Sequence, residues 1–210
     1  IQICHSGLIQ SPTRNVGDRE SSNNNFEGII MYKQPLIITI ILALFAGISE
    51  ADIINVPDDH ETIQAGIDAT EEGDTVLVQP GTYEENLQIN DHFITLASLT
   101  LMTGDPAYID STIIDGGGQA TVVNIGEIGG IVILRGFIIQ NGNGRTGGGI
   151  YAVDNDLLIE DMIIRNNTGG VGGGVSCNSE STVIIRRTVV AHNRSDYAGG
   201  LDLRYANVTL

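Results

Sequence analysis

Apolar residues in the second half of the chain follow two superimposed periods. Within short segments every second residue is apolar, as in Val132 and Leu134, which predicts a β-strand that buries one face. These segments return every 25 to 26 residues, over 131–155, 156–181 and 182–206, and a further copy begins directly after them. Because one repeat cannot bury its apolar face alone, the pattern predicts a solenoid whose stacked coils make the core.

Alignment of the copies predicts which side chains stack. Each coil offers about three short strands and no helix, so the pattern indicates an all-β fold, a parallel β-helix with coils of about 25 residues. Tyr151, Ser176 and Asp202 alternate with inward residues and are expected to face water. The predicted inward columns are Val132–Leu157–Val183–Val208, Leu134–Ile159–Ile185–Leu210, Ile139–Ile164–Val190, Ile150–Val175–Leu201 and Ala152–Cys177–Leu203.

Glycines mark one turn of every repeat. Gly147-Gly148-Gly149 returns at 172–174, and as Ala198-Gly199-Gly200, which predicts a fixed bend with positive φ. A phosphate-binding loop is disfavoured, because no lysine and no helix follow the glycines. A second turn is expected to stack polar side chains from coil to coil. Its aligned residues are Asn141, Asn166 and His192.

Composition narrows the class of partners. The chain has 210 residues, which suits one domain, and a formal net charge of −16, which disfavours nucleic acid and anionic membranes as partners. It would also repel a polyanionic glycan unless divalent cations bridged the two. Cys177 falls on an inward column, so we expect a small buried apolar group and no disulfide framework.

The first quarter of the chain has the features of an export signal. Residues 31–51 contain Met31, Lys33, an apolar stretch and a small-residue cleavage site ending at Ala51, which predicts a signal peptide. Residues 1–30 are then an upstream, non-native extension; the alternative is a genuine extension with an uncleaved anchor. Residues 52–210 form the predicted β-helix domain, secreted or at the cell surface, with no transmembrane helix.

The end of the chain carries an expectation of its own. Leu210 falls on an inward position of a coil that has barely begun. Because solenoids end in caps, we expect truncation at this end, with further coils and a region for outer-membrane or surface attachment missing.

An amphipathic helix is predicted ahead of the first strand. Asp58 and Glu61 fit a capping box, Ile63 and Ile67 share one helical face, and the helix is expected to end near Gly73. The apolar stretch 75–78 then predicts a strand. A helix in this place would cap the open N-terminal end of the β-helix.

These segments carry a family resemblance. TIQAGIDATEEGDTVLVQPGTYEENLQI (62–89) resembles the N-terminal segment of right-handed parallel β-helix proteins of the pectin-lyase-like superfamily, and 111–144 resembles the coils that follow it. The long repeats also resemble those of polymorphic outer-membrane proteins and related secreted proteins. The resemblance implies a right-handed β-helix, but it does not choose among lyases, hydrolases, esterases and adhesins.

Motifs of two enzyme families of this fold are mostly missing from the chain. The segment 81–85 fits the GxYxE pattern of pectin methylesterases, but their later catalytic segments are missing, so this segment is expected to be a turn. The Asp-Asp, Gly-His-Gly and Arg-x-Lys signatures of polygalacturonases are also missing. His192 is therefore expected to be a turn residue rather than a catalytic one.

Pectate-lyase-like elimination would need an arginine base and carboxylates. The candidates are Arg165, Arg186, Arg187, Glu160 and Asp161. Their alignment supports a structural role as well, since opposite charges on adjacent coils would form a ladder. The two charged columns are Arg135–Glu160–Arg186 and Gly136–Asp161–Arg187.

Asp154 and Asp156 are the candidate metal ligands. They flank Asn155 in the turn between two coils, where Asp-x-Asp is also common turn chemistry. The glycine and glutamate of an EF-hand loop are missing. No cofactor is required by the pattern, and Ca²⁺ is the one metal ion considered.

The leading functional hypothesis is a structural or adhesive protein of the cell exterior that binds a polysaccharide or cell-surface glycan along one strand face. Tyr151, Ser176, Asp202 and Tyr205 are the candidate binding residues, although exposed tyrosine is also ordinary on strands. The alternative is a polysaccharide lyase or hydrolase acting on uronate-containing polymers. Clustered arginines and carboxylates on one face would favour that alternative.

Overall fold

The repeat folds into a stack of parallel strands. The computed structural model describes residues 50–178, 182–204 and 207–209, which form a parallel β-solenoid of about six turns. Its strands belong to four sheets that run along the stack, which we name sheets A to D. A full coil passes from sheet A to B and on to C, and the later coils add a two-residue strand of sheet D between B and C.

Strands of successive coils lie side by side in each sheet, in the order of the coils. Sheet A contains β1 (Ile53–Val56), β2 (Thr75–Val78), β5 (Thr95–Ser98), β8 (Ile131–Arg135), β12 (Asp156–Glu160), β16 (Thr182–Arg186) and β20 (Asn207–Thr209). Sheet B contains β3 (Gly81–Glu84), β6 (Thr112–Asp115), β9 (Ile138–Gln140), β13 (Ile163–Arg165) and β17 (Val189–Ala191). Sheet C contains β4 (Leu87–Ile89), β7 (Val123–Ile125), β11 (Ile150–Val153), β15 (Val175–Asn178) and β19 (Leu201–Arg204). Sheet D contains β10 (Asn143–Gly144), β14 (Thr168–Gly169) and β18 (Arg194–Ser195).

Backbone pairing confirms the predicted register. Leu157 pairs with both Val132 and Val183, and the other predicted columns pair in the same way within the described residues. The inward side chains of the central coils are buried and form one continuous apolar core, in which Phe137 is the largest fully buried side chain. Val208 pairs with Val183 through the backbone, whereas Leu210 lies outside the described residues.

The glycine turn forms where predicted, but for a different reason. Gly147 bridges Gly172, which bridges Ala198, so the turns stack in register. Their glycines do not adopt positive φ. A Cβ on Gly148 would lie 2.4 Å from the carbonyl oxygen of Gly173, so glycine is required by the close approach of successive coils.

The amide ladder is displaced by one residue from the predicted column. Asn141, Asn166 and His192 instead adopt the left-handed conformation, with φ between 55° and 57°. Asn167 and Asn193 follow two of them and turn inward. The Nδ2 of Asn167 donates to Asn193 Oδ1 at 3.0 Å, so these two amides form the ladder.

Among the residues that the structure describes, three short helices interrupt the strands: α1 (Ile63–Asp68), α2 (Thr100–Thr103) and α3 (Ala107–Ser111). Ile63 and Ile67 of α1 are buried, as the helical pattern predicted. The predicted capping box and the end near Gly73 are wrong. The side chain of Thr62 accepts from the Ala65 amide, and α1 ends at Asp68.

Glu85, which directly follows β3 of sheet B, accepts hydrogen bonds from the N-terminus of α1. The carboxylate of Glu85 accepts hydrogen bonds from the backbone amides of Ile63 and Gln64, both at 2.9 Å. Tyr83 donates from its hydroxyl to the Gln79 carbonyl at 3.0 Å. The expectation that the GxYxE segment is a turn is therefore wrong, since Gly81–Glu84 form β3 and Glu85 supports the helix. The role of α1 as a cap of the whole fold stays a prediction.

The predicted signal peptide lies almost wholly outside the described residues. Ala51, its predicted cleavage position, is described and exposed, two residues before β1 begins. Among the described residues, no helix has both the length and the apolar character needed to cross a membrane.

Candidate functional site

The outer face of sheet C carries a column of polar and aromatic side chains. In successive coils the register joins Gln88, Asn124, Tyr151, Ser176 and Asp202. Strand alternation directs these side chains away from the core, because their neighbours on each strand are inward apolar residues. The predicted Tyr151–Ser176–Asp202 column is thereby confirmed as a register, and it extends two coils further toward the N-terminus.

A shallow groove lies over the first half of this column. It has a volume of about 290 Å³, and Tyr151, Asn124 and Gln88 form its strand side. The opposite side comes from turns of two coils, through Ala120, Thr121, Arg145 and Thr146.

Polar groups of this groove remain open to a ligand. Asn124 Nδ2 donates to Gln88 Oε1 at 2.6 Å, which fixes the two amides against each other. Within the described part of the chain, the remaining amide atoms, Gln88 Nε2 and Asn124 Oδ1, make no hydrogen bond, and Arg145 makes no ion pair. The groove thus presents an amide donor, an amide acceptor and a guanidinium beside the Tyr151 ring.

A second depression lies further along the same face. Its volume is about 380 Å³ and its lining is Val171, Tyr197, Asp202 and Arg204. Tyr197 is 84% exposed, although large apolar side chains are otherwise mostly in the core. The guanidinium of Arg204 holds Asp202 through an ion pair of 3.1 Å, so Asp202 is already partnered.

Ser176 was expected to face water, but this expectation is wrong. Its residue exposure is 0%, because the glycine turn folds back over this strand. A Cβ on Gly172 would come within 2.9 Å of the Ser176 Cβ. Ser176 Oγ also donates to Asp202 at 3.4 Å, so this hydroxyl does not belong to the binding surface. Tyr205 lies outside the described residues.

The sequence pattern did not predict four residues of this face, namely Gln88, Asn124, Arg145 and Tyr197. Gln88 and Asn124 are neighbours although they lie 36 residues apart, because α2 and α3 lengthen the second coil beyond the 25-residue repeat. Arg145 and Tyr197 lie in turns, where no alternation marks which side chains project. The repeat alignment does place Thr146, Val171 and Tyr197 at one turn position, and that was the available signal.

Three of the five predicted catalytic residues, Glu160, Asp161 and Arg187, meet on the outer side of sheet A. Arg135 joins them there. Arg187 contacts Asp161 at 2.6 Å and Glu160 at 2.8 Å. Arg135 contacts the same two carboxylates at 3.0 Å and 3.5 Å. We name Arg135, Glu160, Asp161 and Arg187 the four-charge cluster.

The electrostatics of the four-charge cluster favour fixed charges. A hydrogen bond from Arg187 is the largest cause that holds the pKa of Asp161 below its ordinary value. The same contact raises the pKa of Arg187, so its guanidinium stays protonated and is a poor base. The cluster supports the structural ladder over a catalytic role.

Arg186 and Arg165 lie apart from the four-charge cluster. Arg186 pairs with Glu160 through the backbone register, as predicted, but within the described residues its side chain forms no ion pair. The residue that neutralises Glu160 from this coil is Arg187, whose φ of 46° turns it out of the strand. Arg165 instead donates to Gln140 Oε1 from Nε at 3.2 Å and Nη2 at 3.1 Å.

The predicted metal ligands are separated by an inward residue. Asn155 is 2% exposed and accepts from the Ile128 and Gly129 amides, at 2.9 and 3.1 Å. Asp156 Oδ1 accepts from the Thr182 amide at 2.7 Å, whereas Asp154 is exposed. In the described ranges no three His, Cys, Asp or Glu side chains group closely enough to hold a metal ion. Calcium binding by Asp154 and Asp156 stays a prediction.

The fold and the groove place the chain in the class of parallel β-solenoids with a polar, tyrosine-bearing surface. Comparison with protein-family models, with curated proteins and with solved structures gave no match.

Proposed function

We propose that this protein is a secreted or cell-surface β-helix protein of structural or adhesive type that binds a glycan on the outer face of sheet C. The observation that carries the proposal is the groove in which Tyr151 stands beside the Gln88–Asn124 amide pair and Arg145. A sugar ring presents an apolar face and several hydroxyl groups. An aromatic ring suits that apolar face, and the amides suit the hydroxyls.

The shape and charge of the site support an extended, uncharged glycan. Tyr151 and Tyr197 belong to grooves on the same face, and neighbouring coils are about 4.8 Å apart. An extended glycan lying along the stack would therefore contact both tyrosines. The net charge of −16 disfavours a polyanion unless divalent cations bridge the two.

Finer structural assignments belong to the same proposal. They are right-handed coiling, a place in the pectin-lyase-like superfamily, α1 as the N-terminal cap, export by residues 31–51 with cleavage after Ala51, and attachment to an outer membrane or surface. The buried Ile63 and Ile67 support the cap, since they join α1 to the core. If a variant that lacks residues 31–51 were still found in the culture medium, export by this segment would be contradicted.

Titration calorimetry with neutral oligosaccharides, including xylan, cellulose and galactan fragments, tests the binding. The wild type is compared with Tyr151→Ala and with Tyr108→Ala, a matched control whose tyrosine lies in α3 away from the groove. We expect Tyr151→Ala to weaken binding about tenfold, equal to about 1.4 kcal/mol, and Tyr108→Ala to leave it unchanged. Equal affinity of both variants and the wild type would refute the groove as the site.

The enzymatic alternative is distinguished in the same samples. A polysaccharide lyase or hydrolase would release new reducing ends from pectate or alginate, with or without added calcium. Release that depends on Asp161 or Arg187 would favour the alternative. Binding without release would support the adhesive function.

A further inference from the structure

Among the described residues, the first strands of the solenoid have an edge to which another strand could add. In the described part of the chain, β1, β3 and β4 are the first strands of sheets A, B and C, and each pairs on one side only. Unpaired backbone groups at such an edge are a template for addition of a further strand. Two residues, Asp59 and Gln64, occupy these groups on sheets A and C.

Asp59 occupies the free edge of β1. The backbone carbonyls of Asp52 and Val56 accept hydrogen bonds from amides of the next coil. Because successive residues of a strand direct their backbone groups to opposite sides, Asn55 directs its amide and carbonyl away from that coil. The Asn55 amide donates to Asp59 Oδ2 at 2.7 Å, and the Asn55 carbonyl accepts from the Asp59 amide at 2.8 Å. Asp59 therefore takes both the acceptor and the donor position that a preceding strand would fill.

Gln64 occupies the free edge of β4 in the same manner. Leu87 and Ile89 hydrogen-bond to the next coil, so the backbone of Gln88 points outward from the stack. The Gln88 amide donates to Gln64 Oε1 at 2.8 Å, and Gln64 Nε2 donates to the Gln88 carbonyl at 3.1 Å. A primary amide thus takes the place of a peptide group. Gln64 Nε2 also donates to Asp68 at 2.7 Å, which holds the side chain in this orientation.

We propose that Asp59 and Gln64 are blocking residues that prevent a second copy of this chain from pairing end-on with β1 and β4. The Gln64 side chain supplies one donor and one acceptor, as an added strand would. At β1 the Asp59 carboxylate supplies the acceptor and its backbone amide the donor, so Asp59→Ala frees the Asn55 amide only. The edge of sheet B is protected differently, because β3 carries the exposed, charged Glu84. The occupant that these contacts exclude is another solenoid end of the same chain, whose edge offers identical pairing groups.

The test compares the mass in solution of the full chain and of its Asp59→Ala/Gln64→Ala variant, by light scattering over a range of concentrations. We expect the double variant to reach about twice the wild-type mass as concentration rises, because isologous dimers are the commonest assembly. The matched control is Asp58→Ala/Gln119→Ala, which makes the same kinds of change at exposed positions. The control is expected to keep the wild-type mass.

Charge and folding are separated by further variants. Asp59→Asn keeps an acceptor oxygen but removes the charge, so we expect it to keep the wild-type mass; association of this variant would overturn hydrogen-bond blocking in favour of charge repulsion. A double variant that stays folded by circular dichroism at wild-type mass would also overturn the proposal. If the double variant unfolds, the two single alanine variants replace it, and wild-type mass in both overturns the proposal.

Discussion

Arg187 Nε lies 2.6 Å from Asp161 Oδ1, although the two residues are 26 positions apart in the chain. Both are turn residues with positive φ, at 46° and 54°, that follow equivalent strands of sheet A. The turn conformation therefore repeats from coil to coil and brings opposite charges together on the surface. Asp161 and Glu160 each contact both arginines of the four-charge cluster, and Asp161 has the shorter contact with each of them.

Loss of the Asp161 charge is expected to destabilise the fold. Asp161→Asn keeps a residue that tolerates positive φ but weakens the bonds to Arg135 and Arg187. We expect the free energy of unfolding to fall by about 2 kcal/mol, because hydrogen bonds to charged groups contribute ~1.5–3 kcal/mol. Urea denaturation measures this change. Arg186→Ala is the control, and a loss as large as that of Asp161→Asn would contradict the assignment.

The same carboxylate predicts a dependence of stability on pH. The pKa of Asp161 is lowered from 3.8 in the folded chain, chiefly by the hydrogen bond from Arg187. The unfolded chain therefore binds the proton more tightly, so the stabilisation is present above pH 3.8 and is lost as the pH falls through the lower folded pKa. The difference in Tm between wild type and Asp161→Asn should be constant at neutral pH and shrink in acid below pH 3.8. A difference that grew in acid would have the wrong sign.

Removal of the buried side-chain amide of Asn167 is expected to lower the free energy of unfolding about as much as Asp161→Asn does. Asn167 is 1% exposed; it accepts from the Gly142 amide at 2.8 Å and donates to the Ile139 carbonyl at 3.1 Å. Asn167→Ala leaves these buried groups unpaired, so the free energy of unfolding should fall by about 2 kcal/mol. Chemical denaturation tests it against Asn166→Gly, in which glycine accepts the positive φ of the exposed neighbour. Equal stability of the two variants would argue against the ladder.

Cys177 should be inert in the folded chain. It is 1% exposed, and burial is the main cause that raises its pKa to about 12, so almost no thiolate forms near neutral pH. Alkylation with iodoacetamide in mildly alkaline buffer, followed by peptide mapping, should leave Cys177 unmodified in the native protein. The same treatment in denaturant should modify it fully. Rapid native modification would contradict a closed core at this position.

The central coils were predictable because their sequence repeats. Leu157 and Ile159 occupy every second position of their strand and return in register, so burial and strand pairing follow from the same spacing. The first coils were harder to predict. There α2 and α3 lengthen the path, and the residues that pair, such as Gln88 and Asn124, no longer share a repeat spacing.

Side-chain partners also escaped the repeat alignment. The alignment correctly paired Glu160 with Arg186, yet Arg187 forms the ion pair because its turn conformation redirects the side chain. Ser176 alternates like an outward residue and is still buried, because the glycine turn covers it. Backbone register follows from spacing, whereas contacts of turns depend on dihedral angles that the spacing does not contain.

By itself, the sequence determined a parallel β-solenoid, its coil length and its inward columns, since these follow from local alternation and a constant period. Only the tertiary structure decided which charges meet around Asp161, which amides form the ladder and where the sheet C groove lies. It also showed that Asp59 and Gln64 occupy the free strand edges. Each of these features depends on where a turn or helix meets another part of the chain, and such contacts depend on the path of the chain in space.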